Sequence, residues 1–541
     1  MVKLNVSRNL DQVMNLMASQ RQTSSKLIVA GLMLCALAVR LFRLDYQSLW
    51  TDEIISYEIS RDSLWTLVVR PFDPNVPGLY YAVMHAVMLF GEGEWLLRLP
   101  SVCFAVLSVP LLYVITQKCL GRTTGLVAAA LLTVSPFHIW YSQEARPYTL
   151  LLLLALLSFW MLQKTISSPH NGWVKIGFVF AAAALFYCHT VGIAFIGFLG
   201  IYALWQTPRQ RWTSVLPLFG AVAVLIAPPI YRMLVISPDD AGDPFRSFNL
   251  VHIPYALWTF ATGYSLGPSI TELHAPNRIS TLTPYLPLIV PVMLFLAAVF
   301  LHGAVCLRRK EGAIFWTIAL WFAFPMTFAS FGALVTSHAF NVRYMILSFP
   351  PFLILLAVGG LGLPRGWVRA STVGVLLLVS VVSLHNYYYE EQYHREDNRA
   401  AGRFLAAHAA PDDLVIACAS YTLRDIQHYS RRDDLRMIGY SAARSESEMA
   451  ARNDGAIGDR EVALVAAPAS TISLPPAPSA DQLVADDLRR IVRGRPRVWL
   501  FLSRTYHGDP DGYLRGFFNE RFHTDLRFRS AGVELIRFEQ W

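Results

Sequence analysis

The sequence predicts an all-α polytopic membrane domain of about eleven transmembrane helices, followed by a small soluble α/β domain. Three observations carry this reading. Of 541 residues, 54% are hydrophobic and only 16% charged, against about 25% charged in typical soluble domains. Apolar runs recur from Leu27 to His385, separated by short loops rich in Lys and Arg. Beyond about Asn386 the composition changes to that of a soluble domain, with 21 Arg, no Lys and 22 or 23 acids, according to whether Glu390 is counted. The chain is therefore neither disordered nor a coiled coil, and not an ordinary cytosolic enzyme.

Residues 1–26 are polar and carry Lys3, Arg8, Arg21 and Lys26. They read as a cytoplasmic N-terminal segment. Leu27–Phe42 is the first apolar run, and without a small-residue cleavage site it reads as a retained helix. Residues 44–94 form a large outer loop. Within it Pro77–Phe90 is apolar but short of the ~20 residues a crossing needs, so it reads as a helix lying along the membrane surface. Further spans follow at Trp95–Gln117, Thr124–Trp140, Tyr148–Gln163, Val174–His189, Val191–Trp205, Trp212–Val235, Tyr285–Leu307, Ala313–Val335, Tyr344–Leu361 and Val368–His385. The basic loops Lys118–Arg122, Lys164–Lys175, Arg209–Arg211, Arg308–Lys310 and Arg365–Arg369 then all fall inside, which is the positive-inside pattern. The pI of 9.1 thus reports topology, and a nucleic-acid partner is not expected.

Residues 386–541 form the outer domain. DDLVIACAS, REVALVAA and PRVWLFLSR are short, β-rich apolar runs and read as buried strands. Asn398–His408 and Ala480–Arg493 read as helices, and the Pro- and Ser-rich Ser470–Ser479 as a loop. Six cysteines occur without a CxxC pair, and only Cys418 lies in this domain. An internal disulfide there is excluded, and no zinc or redox motif is present.

Ionisable residues near the membrane are the first place to seek function. Glu144 is the one acid between Glu94 and Asp239, and none lies between Glu311 and Glu390. Ion-coupled transport normally needs carboxylates within the spans. The remaining groups gather at predicted outer ends: Asp52-Glu53, Gln143-Glu144-Ala145-Arg146, and Arg343-Tyr344. Asp52-Glu53 suits a general base, since a partly desolvated carboxylate gains basicity. It equally suits a helix start capped by Thr51. Arg146 and Arg343 suit an oxyanion, which a guanidinium binds with two parallel donors, or a lipid headgroup. His85, His138, His189 and His338 read as interfacial residues, and no HxxxH or HExxH spacing supports a metal. No Walker loop or strand-linked GxGxxG marks a nucleotide site.

SLWTDEIISYEIS, PGLYYAVMHAVMLFGEGEWLLRLPSVCFAVLSVPLLYVI, LLTVSPFHIWYSQEARPYTLLLLLALLS and VRYMILSFPPFLILLAVGG together resemble bacterial polyprenyl-phosphate-sugar-dependent glycosyltransferases of the GT-C fold. The relatives are the family 39 protein O-mannosyltransferases and the aminoarabinose transferases, and the resemblance runs over roughly residues 25 to 420. It implies a bacterial inner-membrane enzyme with its site and C-terminal domain on the periplasmic or extracellular face. The donor it implies is a polyprenyl-phosphate-linked sugar, entering from the bilayer. The acceptor is an envelope glycan, lipid or protein, and transfer inverts the anomeric centre. Asp52 matches the catalytic carboxylate, with Glu53 beside it. Arg146 and Arg343, with Tyr344, Glu144, Gln143 and Arg98, are then the candidates for phosphate and sugar binding. With no nucleotide diphosphate to neutralise, no metal or other cofactor is obligatory. One departure is Asn75-Val76-Pro77-Gly78-Leu79-Tyr80, where relatives often carry a basic residue. Two rival classes are a lipid-linked-sugar flippase or other transporter, and a membrane scaffold. The first would show intramembrane charge or related halves. The second gives no reason for the three outer groups.

Overall fold

The computed structural model describes residues 23–69, 75–236, 249–274, 278–335, 341–441 and 480–540. The strand expected at REVALVAA, the loop at Ser470–Ser479, His338 and the first 22 residues lie outside these. The chain forms two compact units. The first comprises Met1–Tyr46, Ile55–Ser269 and Thr283–Tyr393. The second comprises Gln47–Ile54, Ile270–Leu282 and His394–Trp541.

The first unit is helical. Among the described residues, eight helices are long and apolar enough to cross a membrane: Thr23–Leu41, Glu94–Leu120, Tyr148–Ser167, Arg209–Met233, Ser280–Lys310, Gly312–Leu334, Val342–Leu361 and Gly366–Tyr389. The other three expected spans are helical with a difference. Gly172–Cys188 and Gly192–Gln206 have 17 and 15 residues, which at 1.5 Å per residue is about 25 and 22 Å, short of a ~30 Å hydrocarbon core. The span expected over Thr124–Trp140 is broken: Arg122–Thr133 and Pro136–Ser142 meet at 54°. Pro136 lacks the N–H that would continue the helix, and its ring clashes with the carbonyl four residues back. Buried Arg40 meets the carbonyls turned out by this break, its Nη2 donating to Leu132 (3.1 Å) and its Nη1 to Thr133 (2.9 Å). Ser135 caps the new start by accepting from the His138 N–H (3.1 Å). The helix Leu79–Met88, within the run expected on the membrane surface, has ten residues and buries Tyr80, Tyr81 and Met84.

The close approach of two membrane helices needs glycine. Gly303 on Leu286–Lys310 and Gly359 on Phe349–Leu361 face each other's helix, and a methyl group at either would overlap the carbonyl oxygen of Leu355 or Val299. Such small-residue contacts let membrane helices approach closely.

The second unit is a three-layer sandwich. Its sheet has the order β2–β1–β3–β5–β4, with β1 Leu414–Cys418, β2 Arg436–Gly439, β3 Arg497–Ser503, β4 Phe522–Ser530 and β5 Val533–Gln540. β1 is parallel to β2 and β3, and β5 is antiparallel to β3 and β4. Alternation along β1 and β3 splits the core. Leu414, Ile416, Val498, Leu500 and Leu502 meet Leu488, Leu514 and Phe518 on one face. Val415, Ala417, Trp499 and Phe501 meet Ala401, Leu405 and Ile426 on the other. Burial on both faces is why these two strands read as continuous apolar runs. β2, β4 and β5 escaped that reading. β4 alternates Arg527 and Arg529 with half-buried Leu526 and Phe528, and both arginines meet Glu534 of β5. Its charged side chains also blunt an open edge. The last membrane-unit helix runs to Tyr389, four residues beyond the expected His385.

Candidate active site

The predicted site residues divide between the two units. Gln143, Glu144, Arg146, Arg343, Tyr344 and Arg98 belong to the first, and Asp52 and Glu53 to the second.

In the first unit, the chain after Pro136–Ser142 turns through Gln143–Pro147 into Tyr148–Ser167, and Asn341 opens the turn Val342–Ser348 by accepting from the Arg343 N–H (3.1 Å). These turns bring two guanidiniums to one ring. Arg146 lies 6.0 Å and Arg343 5.7 Å from the centre of Tyr148. Arg343 also lies 5.5 Å from the ring of Tyr344. His189 stands between the two tyrosines, 5.8 Å from Tyr148 and 5.5 Å from Tyr344. The Arg146 Nη1 donates to the Ser56 hydroxyl (2.9 Å), and its carbonyl accepts from Ser101 (3.2 Å). Tyr141 and Tyr264 share a hydroxyl hydrogen bond of 2.6 Å, and both feel the charges of Glu144 and Arg343. Arg146, Glu144, Tyr148 and His189 are all buried. The cluster concentrates cations and hydroxyl donors, the equipment for an anion.

Two predicted contacts have structural employment. Gln143 donates through Nε2 to the carbonyls of Arg40 and Phe42 (2.8 Å each) and accepts the Tyr387 hydroxyl at Oε1 (2.9 Å). It ties the turn to the end of the first helix. Arg98, 1% exposed, donates to the Leu44 carbonyl (2.8 Å).

In the second unit, Asp52 and Glu53 stand in the first turn of the helix Thr51–Ser60. Trp50, not Thr51, precedes that turn, and its N–H donates to Glu53 Oε2 (3.4 Å). This is the reciprocal half of a capping box. Thr51 does not cap; its hydroxyl donates to Asp425 Oδ2 (2.8 Å). Glu53 is fully buried and ion-pairs with Arg395 at 3.5 Å, whereas Asp52 is half-buried. The two neighbouring carboxylates thus have different surroundings. Among the described residues no three His, Cys, Asp or Glu side chains gather as a metal site.

Sequence reasoning missed Arg40, Tyr141, Tyr148, Tyr264 and Arg395. Tyrosines at helix ends look like an interfacial belt, which hides those that line a polar cluster. His189 was expected at the interface, and its place between Tyr148 and Tyr344 depends on helices distant in the chain. An Arg inside a span, such as Arg40, was the signal available.

Residues 71–231 match the dolichyl-phosphate-mannose-protein mannosyltransferase family. A stretch of 195 residues is 28% identical to the undecaprenyl phosphate-alpha-4-amino-4-deoxy-L-arabinose arabinosyl transferase of Edwardsiella ictaluri (strain 93-146), covering 33% of this chain and about a third (34%) of that relative's length. Two crystal structures of ArnT from Cupriavidus metallidurans share the fold. The apo form has a TM-score of 0.56 at 15% identity, covering 96% of this chain and 98% of that one. The form bound to undecaprenyl phosphate has 0.54 at 16% identity, covering 94% and 97%. The fold is therefore the GT-C type of ArnT, with its small C-terminal sheet domain.

Proposed function

We propose that this chain is an integral-membrane glycosyltransferase that moves a sugar from a polyprenyl-phosphate donor to a hydroxyl or phosphate acceptor on the outer face of the membrane, with inversion. The observation that carries the proposal is the pair Arg146 and Arg343 around Tyr148, within a buried polar cluster. As the bond between sugar C1 and the phosphate oxygen breaks, negative charge grows on the lipid phosphate. Preorganised cations stabilise such charge most where water is excluded, and guanidiniums fit its oxygens in pairs. Tyr344 is the hydrogen-bond donor beside them. Asp52 takes the proton of the attacking hydroxyl as its oxygen bonds to C1. Glu144 orients an arginine or a sugar hydroxyl. A pentose or hexose suits this chemistry equally, and the acceptor is an envelope glycan, lipid or protein. Both sequence matches are to transferases, which favours transfer over lipid flipping. We place the site on the periplasmic or extracellular side from the basic inner loops.

The test uses the full chain in nanodiscs, a panel of radiolabelled polyprenyl-phosphate sugars and a crude envelope acceptor. Wild type should release lipid phosphate, and Asp52→Asn should lose about 10²- to 10⁴-fold in rate while keeping its fold. Transfer should survive EDTA, since arginines neutralise the leaving group. Full activity in Asp52→Asn would remove Asp52 from the mechanism. Absence of both transfer and donor binding would overturn the transferase reading.

A further inference from the structure

The residues flanking Asp52 are held by the C-terminal part of the second unit at almost every position. Gln47 Oε1 accepts the Arg395 N–H (3.0 Å). The Ser48 hydroxyl donates to the Glu396 carbonyl (2.8 Å) and accepts the Asn398 N–H (3.1 Å). The Leu49 N–H donates to the Tyr429 hydroxyl (2.7 Å), and its carbonyl accepts Asn398 Nδ2 (3.4 Å). The Trp50 ring lies 5.7 Å from the Arg395 guanidinium and 4.9 Å from that of Arg504. Arg504 is itself fixed by two bonds to Glu396 (2.7 and 3.0 Å). Thr51 and Asn398 Nδ2 both donate to Asp425 Oδ2, at 2.8 and 3.3 Å. Glu53 pairs with Arg395.

Helix propensity explains none of this. Ser48, Leu49 and Trp50 precede the helix, and each is held by groups more than 340 residues away in sequence. Asn398 and Asp425 are buried polar groups, which are expensive unless they hydrogen-bond. Their bonds go to each other and to the segment that carries the carboxylates. Glu53, sealed against Arg395, is part of the same grip.

Resting on the transferase reading above, we propose that the C-terminal domain is a jig that aims Asp52, with Asp425, Asn398 and Arg395 as positioning residues and Glu53 as the anchor of the helix start rather than a second base. A misplacement of about 1 Å can cost about 100-fold in rate, so a domain without chemistry of its own still controls turnover.

The state of Asp425 makes the jig testable. Burial pushes its carboxyl up to about 8, Thr51 and Arg504 pull it back, and Glu396 and Asp52 add to the rise. The groups facing it are therefore Thr51, Asn398, Arg504, Glu396 and Asp52. At neutral pH Asp425 is a neutral acid accepting two hydrogen bonds. Its folded pKa stands above the ordinary 3.8. The stability it contributes is thus full below that value and is lost as pH rises to about 8. Above that, an ionised Asp425 repels Glu396 and Asp52.

The experiment compares wild type, Asp425→Asn, Asp425→Ala, Asn398→Ala and Thr51→Val as full chains in nanodiscs. Hydrogen exchange of residues 48–56 is read first, because it needs no turnover. Asp425→Ala and Asn398→Ala should speed exchange there at least about tenfold, leaving the membrane helices unchanged. Asp425→Asn, which keeps a neutral acceptor, should not. Transfer is read second. Asp425→Ala should lose about 100-fold in kcat with little change in donor KM. Asp425→Asn should keep activity at pH 7 and lose the decline that wild type shows as pH rises through about 8. Added to Asp52→Asn, Asp425→Ala should cost almost nothing more. Unchanged exchange in every variant would overturn the jig even if transfer is seen. So would a fully additive loss with Asp52→Asn, or a wild-type pH decline retained by Asp425→Asn. If no donor is either bound or turned over, the transferase reading fails while the exchange result still judges the clamp.

Discussion

The arginines of the two units have different neighbours in view. Arg146 and Arg343 lie against the ring of Tyr148, with hydroxyls close by. Arg395 and Arg504 lie against carboxylates, Glu53 and Glu396, and both also flank Trp50. An aromatic face offsets a cation by about 0.5–2 kcal/mol, whereas a two-bond carboxylate commits it. Arg504 shows the commitment. Burial lowers its pKa, but Glu396 outweighs this and holds it well above its usual value. Glu396 in turn is pushed up by burial and pulled below its ordinary value by Arg504. The ion pairs give Arg395 and Arg504 the anchoring role, and the proposed function gives Arg146 and Arg343 the ligand role.

The strongest way to break this assignment is to remove the first pair. Arg343→Ala should cost about 10²- to 10³-fold in transfer, the range for a lost transition-state donor, and Arg146→Ala should do likewise. Lysine should not rescue Arg343, because a point charge cannot supply the paired donors. An intact rate in Arg343→Ala would end its ligand role. Next comes the anchoring pair. Arg395→Met removes the guanidinium that ion-pairs with buried Glu53 and should destabilise the second unit by about 3 kcal/mol, read by protease sensitivity. Adding Glu53→Gln should recover much of that, and failure to do so would show the ion pair is not the anchor. The smallest effect is expected at Arg40. Arg40→Leu strips donors from the Leu132 and Thr133 carbonyls and should cost about 2 kcal/mol, seen as earlier thermal inactivation.

How much could be read from the chain follows the same division. The membrane helices announce themselves by long apolar runs, because even their exposed faces are apolar, and β1 and β3 by short ones, because both faces of each are buried. The break at Pro136 was written in Ser135-Pro136, but apolar residues on both sides let it pass as one span. β4 and β5 were hidden because one face is charged, so no run exceeds a residue or two. Charge order along the chain singled out Asp52, Arg146 and Arg343 as candidates. It could not show that Gln47–Ile54 joins a domain made almost wholly of residues beyond 393. That membership rests on Asn398, Asp425 and Arg395, each unremarkable in its own neighbourhood.

The glycine contact between Gly303 and Gly359 has a consequence in biosynthesis. The two residues are 56 positions apart (359 − 303), and a whole apolar helix, Gly312–Val335, lies between them. At about 5–20 residues per second, the ribosome needs several seconds to deliver the second after the first. During that interval the Val299 carbonyl and Gly303 have no partner helix, and lipid occupies the place of the later one. Any side chain larger than hydrogen at either position would meet the newborn helix as it arrives. Such a change would therefore be felt as slow or failed maturation in the membrane before it was felt as altered turnover.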